Sequence, residues 1–597
     1  MRRISLFSQL VLALVAGCGT AASTASTGGS GSTTSTGTSG THTSGTAHTS
    51  GGATTTSSTG ASGGSTTGGS ASTGGSSGTA SSSATSTGSS GGASSGGSAS
   101  SSTGNAGDAS VPVGASVLQF HNHVSRDGLF IDSAITEATS PNYALDTSFA
   151  GTFTGNVYAS PLYVQNGPSG KGTFYVATEA GTVYALDEST GAVVWQRNVG
   201  TAATKTGAGC GNISPIGITG TPAIDLGTRL IVFDAAIANS SGAIATHSIF
   251  ALSIDTGNIV WTVDVSTLTG TGGTAFSPQP QNQRGAVLML NGIAYVPFGG
   301  HYGDCGTYHG WVVGVPLSGA GAKAWSTTAV GAAIWGPGGP ASDGQSIFVT
   351  TGNGLNDNTT WAESEGLFRL DPGPSFTGAT ADFFALYNWN TLDSEDLDLS
   401  GSGPLVIDAP ALTPSQLVMS QGKDGTLYLV DRTNLGGIAT STQLANVGAL
   451  KVQSGQISNA GAWATVGGTT YVVVRPNGQN GGIGCPNGTS GDLVAVKIDP
   501  TAAQKMSVVW CAKSGGVGSP SITSSDGTHD AMVWAFAADP NNAAQLYSWD
   551  LATGTQVFKG GGTANKASNV RRFTTPIAVN GRIFVGGDNQ LYAFKAN

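Results

Sequence analysis

The fold is decided by a stretch that joins two apolar runs through a tight polar turn: Ala185-Leu186-Asp187-Glu188-Ser189-Thr190-Gly191-Ala192-Val193-Val194-Trp195. Asp187 and Thr190-Gly191 are turn residues between runs that suit β-strands, so the stretch predicts a β-hairpin. Trp195 falls on the outer strand, where its ring is expected to pack against a neighbouring unit. The pattern returns, closely or loosely, at 251–261, 312–325, 494–510 and 548–558.

A second repeated feature opens each unit. A small residue followed by Pro, or by an equivalent residue, begins a strand at Ser160-Pro161, Thr221-Pro222, Gly285-Ala286, Gly339-Pro340, Gly403-Pro404, Ala462-Trp463, Ser519-Pro520 and Thr575-Pro576. The intervals between these positions average 59 residues, so eight units account for the chain from residue 117 onward. Since no segment there shows a sustained helical period of apolar residues, the folded part is predicted to be all-β.

This repeat pattern resembles that of the pyrroloquinoline-quinone-type β-propellers. The resemblance implies an eight-bladed, quinoprotein-like propeller with four-stranded blades around a central channel. The last unit, 575–594, holds material for about three strands, whereas 145–153 precedes the first blade without a blade of its own. We therefore expect the N-terminal segment to supply the missing outer strand, which closes the ring without an exposed sheet edge.

The N-terminus is typical of an export signal. Met1-Arg2-Arg3 precedes an apolar run, 4–16, that is too short to span a bilayer permanently. The run ends in Val15-Ala16-Gly17-Cys18, which resembles the bacterial lipobox and implies a lipid-modified Cys18 that anchors the protein in a membrane. The expected location is the cell envelope and, since Gly19 replaces a retention aspartate, the outer membrane; the alternative is an ordinary signal peptide.

The composition divides the chain into a lipoprotein signal peptide, a disordered linker and a propeller, at 1–18, 19–111 and 112–597. Between residues 19 and 104 only His42 and His48 interrupt a run of Gly, Ser, Thr and Ala, which cannot bury a core. After the two leader arginines the chain carries 21 basic and 33 acidic residues. This balance argues against binding to nucleic acid. We expect a monomer.

Further segments resemble one bacterial and fungal branch of the propeller family, and together they span nearly all of the folded region: 117–122, 126–128, 217–222, 281–284, 308–311 and 421–432. Quinoprotein alcohol dehydrogenases hold pyrroloquinoline quinone and Ca²⁺ in the channel and use an aspartate as base. The resemblance implies Trp335 beneath the quinone, Lys423 beside it, and Asn353 and Asp396 on the calcium. Asp396 and Asp398 form the expected catalytic motif.

Two departures argue against quinone chemistry. Residues 234–248 contain no Glu for the expected calcium ligand of the second blade, and Cys210 stands alone where the family has an adjacent cysteine pair. The chain also has no Cys-x-x-Cys-His, so it has no haem attachment site. Each matched residue has a structural interpretation as well, such as blade packing for Trp335 and turn chemistry for Asn353.

The remaining cysteines are expected to be oxidised, because an exported chain enters an oxidising compartment. Of the three possible pairings we favour those that join neighbouring or same-blade loops, Cys210–Cys305 and Cys485–Cys511. A transition-metal site is the weaker alternative for one cluster that lies within nine residues: His301, Asp304, Cys305 and His309.

Two functions from different classes are consistent with these observations. The first is a lipid-anchored binding or scaffold module that holds a protein, a glycan or a small ligand on one face of the ring. The second is an oxidoreductase that uses Ca²⁺ and pyrroloquinoline quinone to oxidise an alcohol or sugar and passes the electrons to a separate acceptor. Units of about 59 residues leave long loops beyond four short strands, which favours a ring face with a binding or catalytic site over a minimal scaffold. The missing glutamate and cysteine pair weaken the second hypothesis.

Overall fold

The computed structural model describes residues 116–206, 209–355, 359–441, 443–476, 483–538 and 544–597. The described residues form an eight-bladed β-propeller, which confirms the predicted fold class. The predicted signal peptide, the linker and Cys18 lie outside the described residues. Within them, no helix is both long and apolar enough to cross a bilayer.

The first four blades are antiparallel sheets in which sequence neighbours pair, with the first strand innermost. Blade 1 contains Leu162–Val164, Thr173–Thr178, Thr182–Asp187 and Val193–Asn198. Blade 2 contains Ala223–Asp225, Leu230–Ala238, Ile244–Ser253 and Ile259–Asp264. Blade 3 contains Leu288–Leu290, Ile293–Gly300, Trp311–Pro316 and Lys323–Ser326, with Gln281–Asn282 paired to its second strand. Blade 4 contains Ala341–Ser342, Ile347–Thr350, Gly366–Leu370 and Phe383–Ala385, with Gly437–Ile438 added in parallel.

The other four blades follow the same plan. Blade 5 contains Leu405–Asp408, Gln416–Gln421, Thr426–Asp431 and Gly448–Lys451. Blade 6 contains Ala462–Val466, Thr469–Val474, Leu493–Ile498 and Met506–Ala512. Blade 7 contains Ser521–Ser524, Met532–Phe536, Ala544–Asp550 and Gln556–Phe558, and Lys566–Ala567 pairs with its third strand. Blade 8 contains Ile577–Val579, Arg582–Gly587 and Gln590–Ala596.

The ring closes as predicted, because the N-terminal segment supplies the outer strand of blade 8. Tyr143–Leu145 pairs antiparallel with the end of the last strand, Gln590–Ala596, and Gly151–Thr152 pairs with its beginning. The first of these pieces begins two residues before the predicted segment. The outer edge of the last blade is thus covered by chain that precedes the first blade.

The repeated tryptophans join neighbouring blades. The indole Nε1 of Trp195 donates to the carbonyl of Ile254 in blade 2 at 2.9 Å, and that of Trp261 donates to Leu317 in blade 3 at 2.8 Å. Gly257 turns with φ 68° directly against the Trp195 ring, where an added Cβ would lie 2.5 Å from a ring carbon. The Thr-Gly turn and the Trp of the repeat are therefore two sides of one inter-blade contact, which confirms the predicted packing role.

Residues 117–132, called the strap below, cross the inner strands of successive blades. Backbone carbonyls of the strap accept hydrogen bonds from inner-strand N–H groups in chain order: Val117 from Tyr163, Leu118 from Ile224, Val124 from Ser342, Ser125 from Val406, Asp127 from Trp463 and Gly128 from Ile522. The side chain of Gln119 accepts from Met289 in blade 3, and that of Asp132 accepts from Gly581 in blade 8. One short segment thus contacts all eight blades.

Phe120, His121 and Arg126 are the large side chains of the strap, and they are buried where the strap crosses the inner strands. Phe120 packs with Ala286 and Ala460, and the ring of His121 stacks on Phe120 with centroids 4.2 Å apart. Arg126 is fully buried. Burial lowers the pKa of His121 to about 4, so its imidazole is neutral in the folded protein.

The sequence did not predict the α-helix that the described residues contain, Trp389–Glu395. It lies in the long connection between blades 4 and 5 and ends at Asp396, which has left-handed φ and ψ of 55° and 45°. Seven residues are too few to display a helical period of apolar residues. This helix ends at a predicted site residue.

Candidate ligand site at the channel mouth

Two kinds of loop carry the predicted site residues. Trp335 and Asp398 lie in the loops that lead into the inner strands of blades 4 and 5, respectively. Asn353 follows the second strand of blade 4, and Lys423 lies in the turn after the second strand of blade 5. Both kinds of loop meet at one end of the channel, so the propeller brings residues 88 positions apart into one cluster. We call this end the channel mouth.

Lys423 is the centre of the cluster. Its Nζ donates to Asp396 Oδ1 at 2.6 Å, forms a second ion pair with Asp398 Oδ2, and lies 5.1 Å from the centroid of the Trp335 ring. Burial alone would lower the pKa of Lys423, but the attraction of Asp398 and Asp396 outweighs burial and raises it. The ammonium group is therefore charged and held between two carboxylates.

The two aspartates of the predicted catalytic motif have different environments. Asp398 is buried, and its Oδ1 accepts a hydrogen bond from the backbone N–H of Asn353 at 2.7 Å. Gly352 makes this approach possible, since a Cβ there would lie 2.3 Å from Asp398 Oδ1. The side chain of Asp396 is 62% exposed. Asp398 therefore orders the loops, and Asp396 presents a carboxylate to solvent.

Two further buried carboxylates support this arrangement, and the sequence analysis missed both. Glu365 Oε2 accepts from the backbone N–H of Leu399 at 2.6 Å, and Asp393 accepts from Gly354 at 2.7 Å. Burial raises the pKa of Asp393 to about 6, and burial together with the charge of Asp398 raises the pKa of Glu365 well above its ordinary value. Glu365 lies in the connection between the second and third strands of blade 4, and Asp393 lies in the short helix between blades 4 and 5; neither belongs to a motif, so no sequence signal pointed to them.

Arg284 is the functional candidate that the sequence analysis missed, although its segment, 281–284, was among those that carried the resemblance. Its guanidinium carbon lies 4.9 Å from the ring centroid of Trp335 and 5.2 Å from that of Phe573. The Nε atom is buried without a hydrogen-bond partner, although the residue as a whole is half-buried, and the described residues form no ion pair with the guanidinium. Burial and the nearby charge of Arg572 lower the pKa of Arg284 to about 10, so it remains a cation at neutral pH.

The predicted disulfides both form. Cys210 pairs with Cys305 across blades 2 and 3, and Cys485 pairs with Cys511 within blade 6. The alternative of a transition-metal cluster is therefore wrong for Cys305, whose sulfur is bonded to Cys210. The hydroxyl of Tyr308 donates to Asp304 at 2.6 Å, which places that carboxylate in the loop after the second strand of blade 3.

The residues present do not fit a calcium ion. Calcium takes six to eight oxygen ligands. Asp398 already accepts from Asn353 through one oxygen and from Lys423 through the other, and Asp396 also binds Lys423. Among the residues that the structure describes, no three His, Cys, Asp or Glu side chains are grouped to hold a metal ion. The roles of Asn353 and Asp396 as calcium ligands therefore lack structural support.

An aromatic anion such as pyrroloquinoline quinone fits better. Trp335 offers a half-buried ring, and two cations, Arg284 and Lys423, lie about 5 Å from its centroid. Arg284 has donors free for a carboxylate, and a planar guanidinium binds a carboxylate through two parallel hydrogen bonds. The channel mouth thus has the groups that hold an organic anion.

Comparison with known proteins agrees with the fold. The profile of the PQQ_2 family, described as outer membrane protein assembly factor BamB, matches residues 157–303. This is roughly a quarter of the chain. A search of the curated proteins finds no significant match.

Several solved structures share the architecture. Quinohemoprotein alcohol dehydrogenase ADHIIG from Pseudomonas putida HK5 is 12% identical, with 81% of this chain and 80% of that chain covered and a TM-score of 0.55. The quinohemoprotein alcohol dehydrogenase from Comamonas testosteroni is 15% identical, with 80% of each chain covered and a TM-score of 0.53. A europium-containing methanol dehydrogenase is 13% identical, with 80% and 89% covered and a TM-score of 0.53. At these identities the likeness concerns the fold alone.

Proposed function

We propose that this protein is a lipid-anchored β-propeller of the cell envelope that binds a small organic anion at the channel mouth. The observation that carries the proposal is the guanidinium of Arg284, which lies between the rings of Trp335 and Phe573 without an acceptor from the described residues. Its Nε is buried without a partner while the residue as a whole stays half-buried, and burying part of a cation is costly unless a partner compensates it. An anionic ligand would supply that partner.

The surrounding charges support this assignment. Lys423 pairs with both Asp396 and Asp398, whose two negative charges outweigh its one positive charge, so Lys423 is not the cation left for an anionic ligand. Arg571 likewise binds Asp588 through two hydrogen bonds. Arg284 differs from both because no carboxylate contacts it directly. It is therefore the residue that we assign to the anion.

The test is a titration of the full-length protein in detergent with pyrroloquinoline quinone as the probe anion. We expect binding that does not depend on Ca²⁺ and that weakens at least about tenfold in Arg284→Gln, since a charged hydrogen bond contributes about 1.5–3 kcal/mol. Arg197→Gln is the matched control, because Arg197 binds Gly257 and Asn258 on the rim. Equal affinity in wild type and Arg284→Gln would refute the proposal.

A second candidate is the oxidoreductase, which the convergence of Trp335, Asp398 and Lys423 favours. The same titration distinguishes the oxidoreductase from the binding module. Quinone binding that requires Ca²⁺, together with dye-linked oxidation of an alcohol or sugar, would establish the oxidoreductase. Binding without Ca²⁺ and without turnover would support the binding module.

The anchor has its own test. Replacing Cys18 by Ala removes the acylated thiol while leaving the apolar export signal intact, so the variant is expected to leave the membrane fraction. Partitioning between detergent and aqueous phases measures this directly. A variant that still enters the detergent phase would contradict the lipid anchor without affecting the ligand site.

A further inference from the structure

The loops that lead into the inner strands of four blades place aromatic rings and arginines at the channel mouth. Tyr158 lies in this loop of blade 1, Arg284 in that of blade 3 and Trp335 in that of blade 4. In blade 8 the equivalent loop carries Arg572 and Phe573 in succession. Since these loops surround the axis at one end of the ring, the mouth offers a ligand more than one cation.

The buried ring of Phe573 contacts two of these arginines. The guanidinium carbon of Arg284 lies 5.2 Å from the centroid of the Phe573 ring, and that of Arg572 lies 5.7 Å from the same centroid. The two guanidinium carbons are therefore no farther apart than these two distances together. Phe573 also packs beside Tyr158, with ring centroids 6.4 Å apart. One ring thus places two cations within reach of a single small molecule.

The segment that carries Arg572 and Phe573 is fixed on both sides. Before it, the guanidinium of Arg571 donates to the two oxygens of Asp588 at 2.7 and 2.6 Å. After it, Thr575 is fully buried. Phe573 has a φ of 77°, a left-handed conformation that is strained for a residue with a bulky side chain. Such strain persists where surrounding contacts enforce it, and it is concentrated at ligand sites.

The two arginines beside Phe573 differ from the other cations of the mouth in having no carboxylate partner. Arg571 is paired with one carboxylate and Lys423 with two. The described residues form no ion pair with Arg284 or Arg572. Burial and then the positive charge of Arg572 lower the pKa of Arg284. Because like charges repel, an anion that contacts both guanidinium groups is favoured over an anion that contacts only one.

We propose that the channel mouth binds an aromatic dicarboxylate and that Arg572 binds the second carboxylate of this ligand. The inference rests on the proposed anion site. One carboxylate pairs with the half-buried Arg284, the other pairs with the exposed Arg572, and the aromatic ring spans the distance between them. A guanidinium binds a carboxylate through two parallel, charge-assisted hydrogen bonds. The second contact therefore selects a dianion over a monoanion of the same shape.

The experiment compares two probes of the same shape by calorimetric titration of the full-length protein in detergent. Terephthalate carries two carboxylates, whereas its monoamide replaces one of them by a neutral amide. A naphthalene dicarboxylate with its carboxylates at opposite ends, and the monoamide of that compound, repeat the comparison over a longer span. We expect wild type to bind at least one dicarboxylate about tenfold or more tightly than its monoamide, the factor that about 1.4 kcal/mol from one charge-assisted hydrogen bond gives.

The decisive variant is Arg572→Gln, which removes the second cation from an exposed position. Its preference for the dicarboxylate should fall to about twofold, because a neutral amide is a weaker partner for a carboxylate than a guanidinium. Its affinity for the monoamide should stay within about twofold of wild type, since Arg284 still holds the remaining carboxylate. Arg197→Gln is the matched control for the lost charge, because Arg197 binds Gly257 and Asn258 on the rim, and it should keep the wild-type preference.

A second variant tests the geometry of the new contact. Arg572→Lys keeps the charge but loses the planar fork of donors, so the preference for the dicarboxylate should fall partway. Equal affinity of wild type for each dicarboxylate and its monoamide, or an unchanged preference in Arg572→Gln, would overturn the inference. Either result leaves the anion site intact provided that all the probes still require Arg284, so the two proposals fail separately.

Discussion

Two arginines of the channel, the fully buried Arg126 of the strap and the half-buried Arg284 of the mouth, find their partners differently. Arg126 in the strap is fully buried and donates to the carbonyls of Pro340, Phe120 and Val287 and to the side chain of Gln119. Arg284 at the mouth lies between two aromatic rings and has no acceptor from the described residues. Burial lowers both pKa values, to about 9 and about 10.

This difference separates a structural cation from one that is available for binding. Arg126 receives its acceptors from three different parts of the chain, so its charge joins the strap to blades 3 and 4. Arg284 contributes no comparable bonds to the fold. A half-buried cation whose Nε has no hydrogen-bond partner is costly to stability, and binding sites are where such a cost is retained.

The largest loss of stability is expected from replacing the structural arginine, Arg126. Arg126→Met keeps much of the apolar volume but leaves three buried carbonyls without donors, which should lower the free energy of unfolding by about 4 kcal/mol. Chemical denaturation measures the change. A loss below about 1 kcal/mol would mean that the strap is not part of the cooperative core.

The strap should also make the protein sensitive to acid. His121 has a folded-state pKa of about 4, below its ordinary value of 6.5, so the unfolded chain binds a proton first as the pH falls. Its contribution is complete above pH 6.5 and is lost toward pH 4, by up to about 3 kcal/mol at 1.4 kcal/mol for each pH unit. In His121→Gln this slope is absent, so the stability difference from wild type should narrow on acidification. A constant difference across that range would contradict the assignment.

Removing the mouth arginine should have a much smaller effect on stability. Arg284→Met breaks no hydrogen bond to the described residues and relieves a desolvated charge, so the free energy of unfolding should change by less than about 1 kcal/mol. The same denaturation experiment as for Arg126→Met provides the comparison. A loss as large as that of Arg126→Met would show that Arg284 is structural and would remove the contrast between the two arginines.

The smallest change in stability is expected from a deletion outside the propeller. Deleting residues 25–100 removes only Gly, Ser, Thr, Ala and two histidines, which offer almost no apolar surface to bury. The melting temperature of the soluble form should therefore be unchanged by calorimetry. A shift of several degrees would mean that this segment packs on the propeller.

The fold was predictable because its signals are local and repeated. Trp195 and Gly257 belong to successive copies of one hairpin pattern, and the structure joins them as expected. The convergence of Trp335 and Lys423 followed from the family resemblance. Arg284, Glu365 and Asp393 were not predicted as site residues, because what distinguishes them is burial and the partners they have or lack, and no short stretch of sequence specifies either.

The sequence by itself determined the blade repeat, because hairpin turns and strand periodicity are encoded within a few residues of one another. Closure by the N-terminal segment followed from the strand that the last unit lacks, and the favoured cysteine pairing followed from the order of the blades, although Cys210 and Cys305 are 95 residues apart. The tertiary structure alone decided that the strap contacts every blade and that Lys423 forms ion pairs with both Asp396 and Asp398. It also decided that Arg284 lies between two rings without an acceptor. These features depend on which loops come together at the axis of the ring, and the loops come together only when all eight blades are assembled.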